Sequence, residues 1–207
     1  MNHIITIDGP SASGKTSVAR LLAKRLGVPY VSSGLLYRAV TYLALQERLS
    51  PGMVQHVLDQ HRIELVPKPG DNLIYLDGKD ITKGLHTLEV DGLVSPIAQL
   101  PAIRAHVNAI LQHIPPPFVI DGRDMGSAVF PQAGFKFYLT APPEVRARRR
   151  MAERKAEYEQ VLAEIIRRDQ ADAAQSVPAT DALQIDTAEL DLEGVVNRVI
   201  GYIEVEL

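Results

Sequence analysis

Residues 9–16 read Gly-Pro-Ser-Ala-Ser-Gly-Lys-Thr and satisfy the pattern G-x-x-x-x-G-K-[ST] at every fixed position. The flanks of this run constrain the fold. Ile4, Ile5 and Ile7 form a β-branched apolar run, as in a buried parallel strand. After Thr16 the apolar residues Val18, Leu21, Leu22 and Leu26 follow a helical period, and Gly27 with Pro29 ends it. Strand, glycine-rich loop and helix N-terminus therefore occur in the order that surrounds a phosphate with loop amides and the positive end of a helix dipole. Gly9, Pro10, Ser11, Ala12, Ser13, Gly14, Lys15, Thr16 and Ser17 are the expected cradle for a nucleotide's phosphates. Lys15 is expected at the β- and γ-phosphates and the Thr16 hydroxyl on Mg²⁺.

Other strand-like runs lie at 28–31, 118–121, 135–139 and 183–186, mostly with helical patterns between them. Such alternation predicts an α/β fold: a parallel sheet of about five core strands with helices on both faces. The stretch 50–115 breaks the rhythm. Short strand candidates at 62–66 and 72–77 flank Pro67-Lys68-Pro69-Gly70, and Asp77-Gly78 turns into a third at 79–82. A helical pattern at 102–113 follows, and Pro115-Pro116-Pro117 restarts the core. The expected organisation is a core of 1–49 and 116–207, with a small antiparallel β/helical insert at 50–115 that is either decorative or, by its place between the second and third core strands, the holder of a second substrate. Residues 143–172 read as strongly helical and rich in arginine at first, either a solvated helix face or a short lid at about 148–163 whose arginines close over transferring phosphates.

Composition removes several function classes. With no cysteine among 207 residues there are no disulfides, cysteine-zinc sites or thiol catalysis, which suits a reducing, cytoplasmic setting. The net charge of −3 gives no basic field toward nucleic acid. No apolar run approaches the roughly 20 residues that span a bilayer, so no membrane partner is expected. The six histidines form no i,i+4 pair. A monomer acting on small molecules is the expectation.

No N-K-x-D motif supports a GTPase, and the chain is small for a motor ATPase. Phosphoryl transfer to a small acceptor remains. Bringing a monophosphate against a nucleoside triphosphate requires several arginines, whose planar forks bind phosphate oxygens bidentately. Candidates are Arg38, Arg123, the arginines of 146–154 and Arg168. Arg38 and Arg123 follow predicted core strands, where open α/β sheets bind ligands.

Ser32-Ser33-Gly34-Leu35-Leu36-Tyr37-Arg38 and Asp121-Gly122-Arg123-Asp124-Met125-Gly126, together with the phosphate loop, resemble the bacterial cytidylate (CMP) kinase family over nearly the whole chain. The resemblance implies a nucleoside monophosphate kinase that moves a phosphoryl group from ATP, with Mg²⁺, to CMP or dCMP. It implies Ser33, Arg38 and Arg123 at the acceptor's phosphate, Ser95, Arg104 and Asp124 at cytosine, and Arg168 and Asp172 near the acceptor's ribose and phosphate. Lys15 and Arg123, with Arg150 and Arg154 from the lid, are the expected catalytic residues, and Asp121 the acid that orients a metal-bound water. Asp124 could read the base, orient Arg123, or both. Two departures stand out: Gln175 occupies a usual arginine position, and the connection from Met151 to Glu164 is short. Kinases for UMP, AMP or shikimate, and an ATP-gated binding protein, are the competing readings.

Overall fold

The computed structural model describes residues 3–153 and 157–206. One sheet organises them. Five parallel strands, β1 (Ile4–Asp8), β2 (Tyr30–Ser32), β6 (Phe118–Gly122), β7 (Phe135–Thr140) and β8 (Leu183–Asp186), are the core strands expected from the β-branched runs. Three antiparallel strands, β3 (Ile63–Lys68), β4 (Asp71–Leu76) and β5 (Lys79–Asp80), extend the same sheet, so it has eight strands in the order β5-β4-β3-β2-β6-β1-β7-β8. The join is short. Tyr30 pairs with Lys68, and the buried Asn72 amide completes it, its Oδ1 accepting from Ser32 N at 3.2 Å and its Nδ2 donating to the Tyr30 carbonyl at 3.1 Å.

Helices cover both faces. Helix α1 (Lys15–Leu26) and helix α7 (Leu192–Glu206) pack Val18, Leu22, Val195, Val199 and Ile203 against Ile5, Ile7 and Phe137. Helix α2 (Ser33–Gln46), helix α3 (Leu88–Ala98) and helix α4 (Pro101–Gln112) cover the other face through Leu36, Leu43, Ile97, Ile103 and Val107. Full burial of each such side chain contributes about 1.5–3 kcal/mol, so the two layers dominate the fold's stability. The helical stretch 143–172 is two helices, α5 (Pro143–Glu153) and α6 (Tyr158–Asp172). Ala147, Val161 and Ile165 join them in a separate apolar cluster that reaches Ala12 of the phosphate loop.

Strand β2 begins two residues later than its apolar run. Gly27, at φ 66°, ends α1 in the left-handed conformation, and Val28 N donates back to the Ala23 carbonyl at 3.0 Å. Val28 therefore closes the helix. Helix α3 was not expected from the pattern, because Gly92 and Pro96 interrupt it. Thr87 caps it by accepting from Val90 N at 3.3 Å, and Val90 and Ile97 anchor it in the core.

Candidate active site

The phosphate loop leaves β1 at the sheet's centre, between β6 and β7. Gly9 has φ 150°, and a Cβ there would collide with the Leu139 carbonyl, so no other residue fits the turn. Gly14, at φ 89°, sits at the N-cap of α1. Lys15 donates to the Pro10 carbonyl at 3.0 Å. Thr16 Oγ1 donates to Asp121 Oδ2 at 2.6 Å, and the Tyr30 hydroxyl donates to Asp121 Oδ1 at 2.8 Å. The last carboxylate of β6 is thus held on both oxygens beside the first turn of α1, where a Walker-B-type acid is expected. Ser11 to Ser17 line a cavity of about 720 Å³; Gly9 and Pro10 are not among its lining residues.

The same cavity is lined by Ser33, Arg38, Ser95, Arg104, Arg123, Asp124, Arg150, Arg168 and Asp172, drawn from α2, α3, α4, the turn after β6, α5 and α6. The cations come with carboxylates. Arg38 pairs with Asp91 at 2.6 Å and Arg123 with Asp172 at 2.9 Å, while Arg104 forms a short ion pair with the buried Asp124. Arg123 also donates to the Gly9 carbonyl at 2.9 Å, which ties the turn after β6 to the phosphate loop. The Arg104 guanidinium lies 5.8 Å from the centre of the Tyr37 ring and donates to the Ala98 carbonyl at 3.3 Å. Arg168 lies 3.1 Å from Glu164, and Arg150 lies 3.8 Å from the same carboxylate. Ser33 Oγ donates to the Asp121 carbonyl at 2.8 Å, so its hydroxyl also supports the strand end. Gln175 lines the cavity as well. Arg154 lies outside the described residues.

The family model for cytidylate kinase matches residues 5–205. The chain belongs to the cytidylate kinase family. A cytidylate kinase of Thermus thermophilus is 54% identical to it over 206 residues, covering 98% of this chain and 99% of that protein. A cytidylate kinase of Deinococcus radiodurans is 49% identical over 204 residues, covering 97% and 98%. Among solved structures, a shikimate kinase from Bacteroides thetaiotaomicron matches with a TM-score of 0.52 at 15% identity over 99% of each chain, a likeness of fold alone.

Family motifs do not single out every side chain that builds this site. Asp8, the buried end of β1, accepts from Met125 N at 2.9 Å and Gly126 N at 2.7 Å and so pins the turn that carries Arg123 and Asp124. Burial raises its carboxyl to about 6, outweighing the two N–H donors that favour the charged form. Arg146 stands first in the arginine-rich row but does not face the cavity. It is buried, donating to the carbonyls of Ala141 at 2.8 Å and Ser11 at 3.0 Å and pairing with Asp169 at 2.5 Å. It fixes the phosphate loop to α5 and α6. Arg149 bonds Thr187 Oγ1 at 2.9 Å at the other end of the cavity.

Burial, with Arg123 nearby, lowers Lys15 from 10.5 to about 7. Lys15 is half-buried and lines the cavity. The expected consequence is proton uptake. Near pH 8 the empty loop holds Lys15 largely neutral, and a bound triphosphate restores its charge, so binding takes up about one proton there and almost none from this group near pH 6. Calorimetry of a non-hydrolysable ATP analogue in buffers of different ionisation enthalpy measures this. Equal heats in all buffers near pH 8 refute it.

Proposed function

We propose that this protein transfers the γ-phosphoryl group of ATP to CMP or dCMP, producing ADP and CDP or dCDP. Family membership supports the reaction class. The observation that carries the acceptor is the Arg104–Asp124 pair, set across one cavity from the phosphate loop. Cytosine offers a donor at N4 and acceptors at N3 and O2, which a carboxylate and a guanidinium complement; uracil reverses the polarity at the first two positions.

In the proposed reaction an oxygen of the acceptor's phosphate attacks the γ-phosphorus in line. The bond from the γ-phosphorus to the bridging β,γ oxygen breaks, and ADP leaves with that oxygen. Lys15 neutralises charge on the β- and γ-phosphates, while Arg38, Arg123 and Arg168 hold the acceptor's phosphate against its repulsion. Arg150 and Arg154 are the proposed lid arginines. No covalent intermediate on the protein is required. Alignment and exclusion of water provide the rest.

Mg²⁺ fits the residues present. Thr16 Oγ1 and Asp121 offer hard oxygens 2.6 Å apart, and the described residues contain no cluster of three or more acids or imidazoles that could cage an ion. That suits a cation that takes most of its ligands from phosphates and water. Bound there, it supplies Lewis-acid neutralisation of the phosphate oxygens. Thr16 would hold it directly and Asp121 through a water.

A monomer is the proposed state. Among the described residues no helix is long and apolar enough to cross a membrane. The proposed setting is the cytoplasm, with small-molecule substrates and no nucleic-acid partner. An acceptor panel tests the reading: ADP release from ATP with CMP, dCMP, UMP, AMP and shikimate. CMP and dCMP are expected to lead. UMP or AMP outpacing them overturns the base assignment, and the absence of any CMP-dependent ADP release overturns the enzyme.

A further inference from the structure

Asp91 lies in the first turn of α3, fixed there by its N–H, which donates to the Thr87 carbonyl at 3.0 Å. From this one residue two different atoms reach two arginines of the acceptor side. Its Oδ1 takes Arg38 Nη2 at 2.6 Å, and its backbone carbonyl takes Arg168 Nη2 at 3.4 Å. Arg38 comes from α2, directly after β2; Arg168 comes from α6, beyond the lid; Asp91 belongs to the insert. The pairs are shielded, with side-chain exposures of 19% for Arg38, 15% for Asp91 and 10% for Arg168.

A long arginine side chain has many rotamers, and a phosphate that must order it loses binding free energy to that ordering. Arg38 is ordered in advance. Nη1 donates to the Leu85 carbonyl at 2.8 Å and Nη2 to Asp91, so two acceptors of the insert hold the two terminal nitrogens. Arg168 retains a buried Nε with no hydrogen-bond partner. A buried N–H left in this state is costly, and a phosphate oxygen bound in the cavity would give it an acceptor. An acid so close to the site of an incoming dianion opposes binding by simple charge. Its presence is explained if what it gains in geometry exceeds what it loses in Coulomb repulsion.

We propose that Asp91 is a positioning residue for the acceptor's phosphate: it presets Arg38 through its carboxylate and Arg168 through its carbonyl, linking insert, core and post-lid helix at one point. The inference rests on the proposed acceptor reading, in which Arg38 contacts that phosphate.

The test is steady-state kinetics with CMP and ATP varied separately in Asp91→Ala, Asp91→Asn, Arg38→Ala and the Asp91→Ala/Arg38→Ala double variant. Asp91→Ala is expected to raise KM for CMP about tenfold, leaving KM for ATP within about twofold. Asp91→Asn keeps an oxygen for Nη2 and is expected to stay within about threefold of the parent enzyme. In the Arg38→Ala background Asp91→Ala adds at most about threefold, because alanine keeps the backbone carbonyl that holds Arg168. If Asp91→Ala does not fold, Asp91→Glu, which displaces the carboxylate by a methylene, is expected to raise KM for CMP in its place. A lowered KM for CMP in both Asp91→Ala and Asp91→Asn overturns the inference in favour of a simple counter-charge. So does a full tenfold effect that persists without Arg38. If Arg38→Ala raises KM for CMP and Asp91→Ala does not, only the positioning role fails; if Arg38→Ala leaves KM unchanged, the acceptor reading itself fails.

Discussion

Lys15→Ala is expected to remove phosphoryl transfer almost completely, by about 10³-fold or more in kcat, while leaving a folded protein that melts no lower than the parent. The first part follows from where charge develops. In a loose phosphoryl-transfer transition state negative charge collects on the oxygens around the β,γ bridge, and preorganised positive groups there lower the barrier directly; losing a single such donor costs about 10²–10³-fold in other enzymes. Lys15 is the one cation of the loop itself, its ammonium beside the Pro10 carbonyl, and the neighbouring Arg123 is tied to Gly9 and Asp172. The second part follows from linkage. The folded value of Lys15 is about 7 against 10.5 for the free side chain. Between those values the unfolded chain holds the extra proton, so stability rises with pH across that window, and the penalty of burying the charge is complete below about 7. Removing the side chain removes that penalty. Thermal melts of the ligand-free variant near pH 6 should therefore match or exceed those of the parent enzyme. Near-normal turnover would sink the phosphate-loop assignment, and a collapsed melting temperature would mean that the loss of activity reports unfolding instead.

What was legible in the chain divides along a physical line. The loop 9–16, the run 32–38 and the turn 121–126 are contiguous, and each concentrates its chemistry in a few adjacent positions. The parallel strands were legible because strands buried on both faces are nearly continuous apolar runs. The supporting partners were not. Asp8 bonds amides 117 and 118 residues away, and nothing in its neighbourhood marks it as more than a strand-end acid. The roles of the arginines after Pro143 depend on helical phase. Arg146 turns inward to Ser11 and Asp169, Arg149 reaches Thr187, and Arg150 approaches Glu164. A row of like residues conceals that division. Helix α3 was hidden by Gly92 and Pro96, and with it Asp91, whose partners lie on two other helices. Local chemistry can be read from spacing, whereas long-range support becomes visible only once the sheet has brought the strand ends together.

Asp124→Ala should raise KM for CMP and shrink the preference for CMP over UMP, measured as the ratio of kcat/KM values, by about 10²-fold. A site built around buried hydrogen-bonding groups can reject a mispaired analogue by roughly 10⁴-fold, because the wrong base leaves those groups unpaired. Asp124 is 6% exposed and bonded to Arg104, which is held in turn by the Ala98 carbonyl and the Tyr37 face. In the proposed mode uracil would set a carbonyl oxygen at position 4 against the carboxylate and an N–H at position 3 against the guanidinium, so both members of the pair would be frustrated at once. Without the carboxylate uracil loses one of its two penalties and cytosine loses one of its partners, and the gap narrows from both sides. Truncation also strands Arg104, and breaking a shielded pair costs about 3–5 kcal/mol of stability. Asp124→Asn controls for this, since its amide retains the shape and can donate to the uracil O4. In Asp124→Asn the UMP rate should therefore rise in absolute terms, a gain that lost stability cannot produce. An unchanged CMP/UMP ratio in both variants would mean that the base is read elsewhere and that Asp124 serves only to order its neighbours.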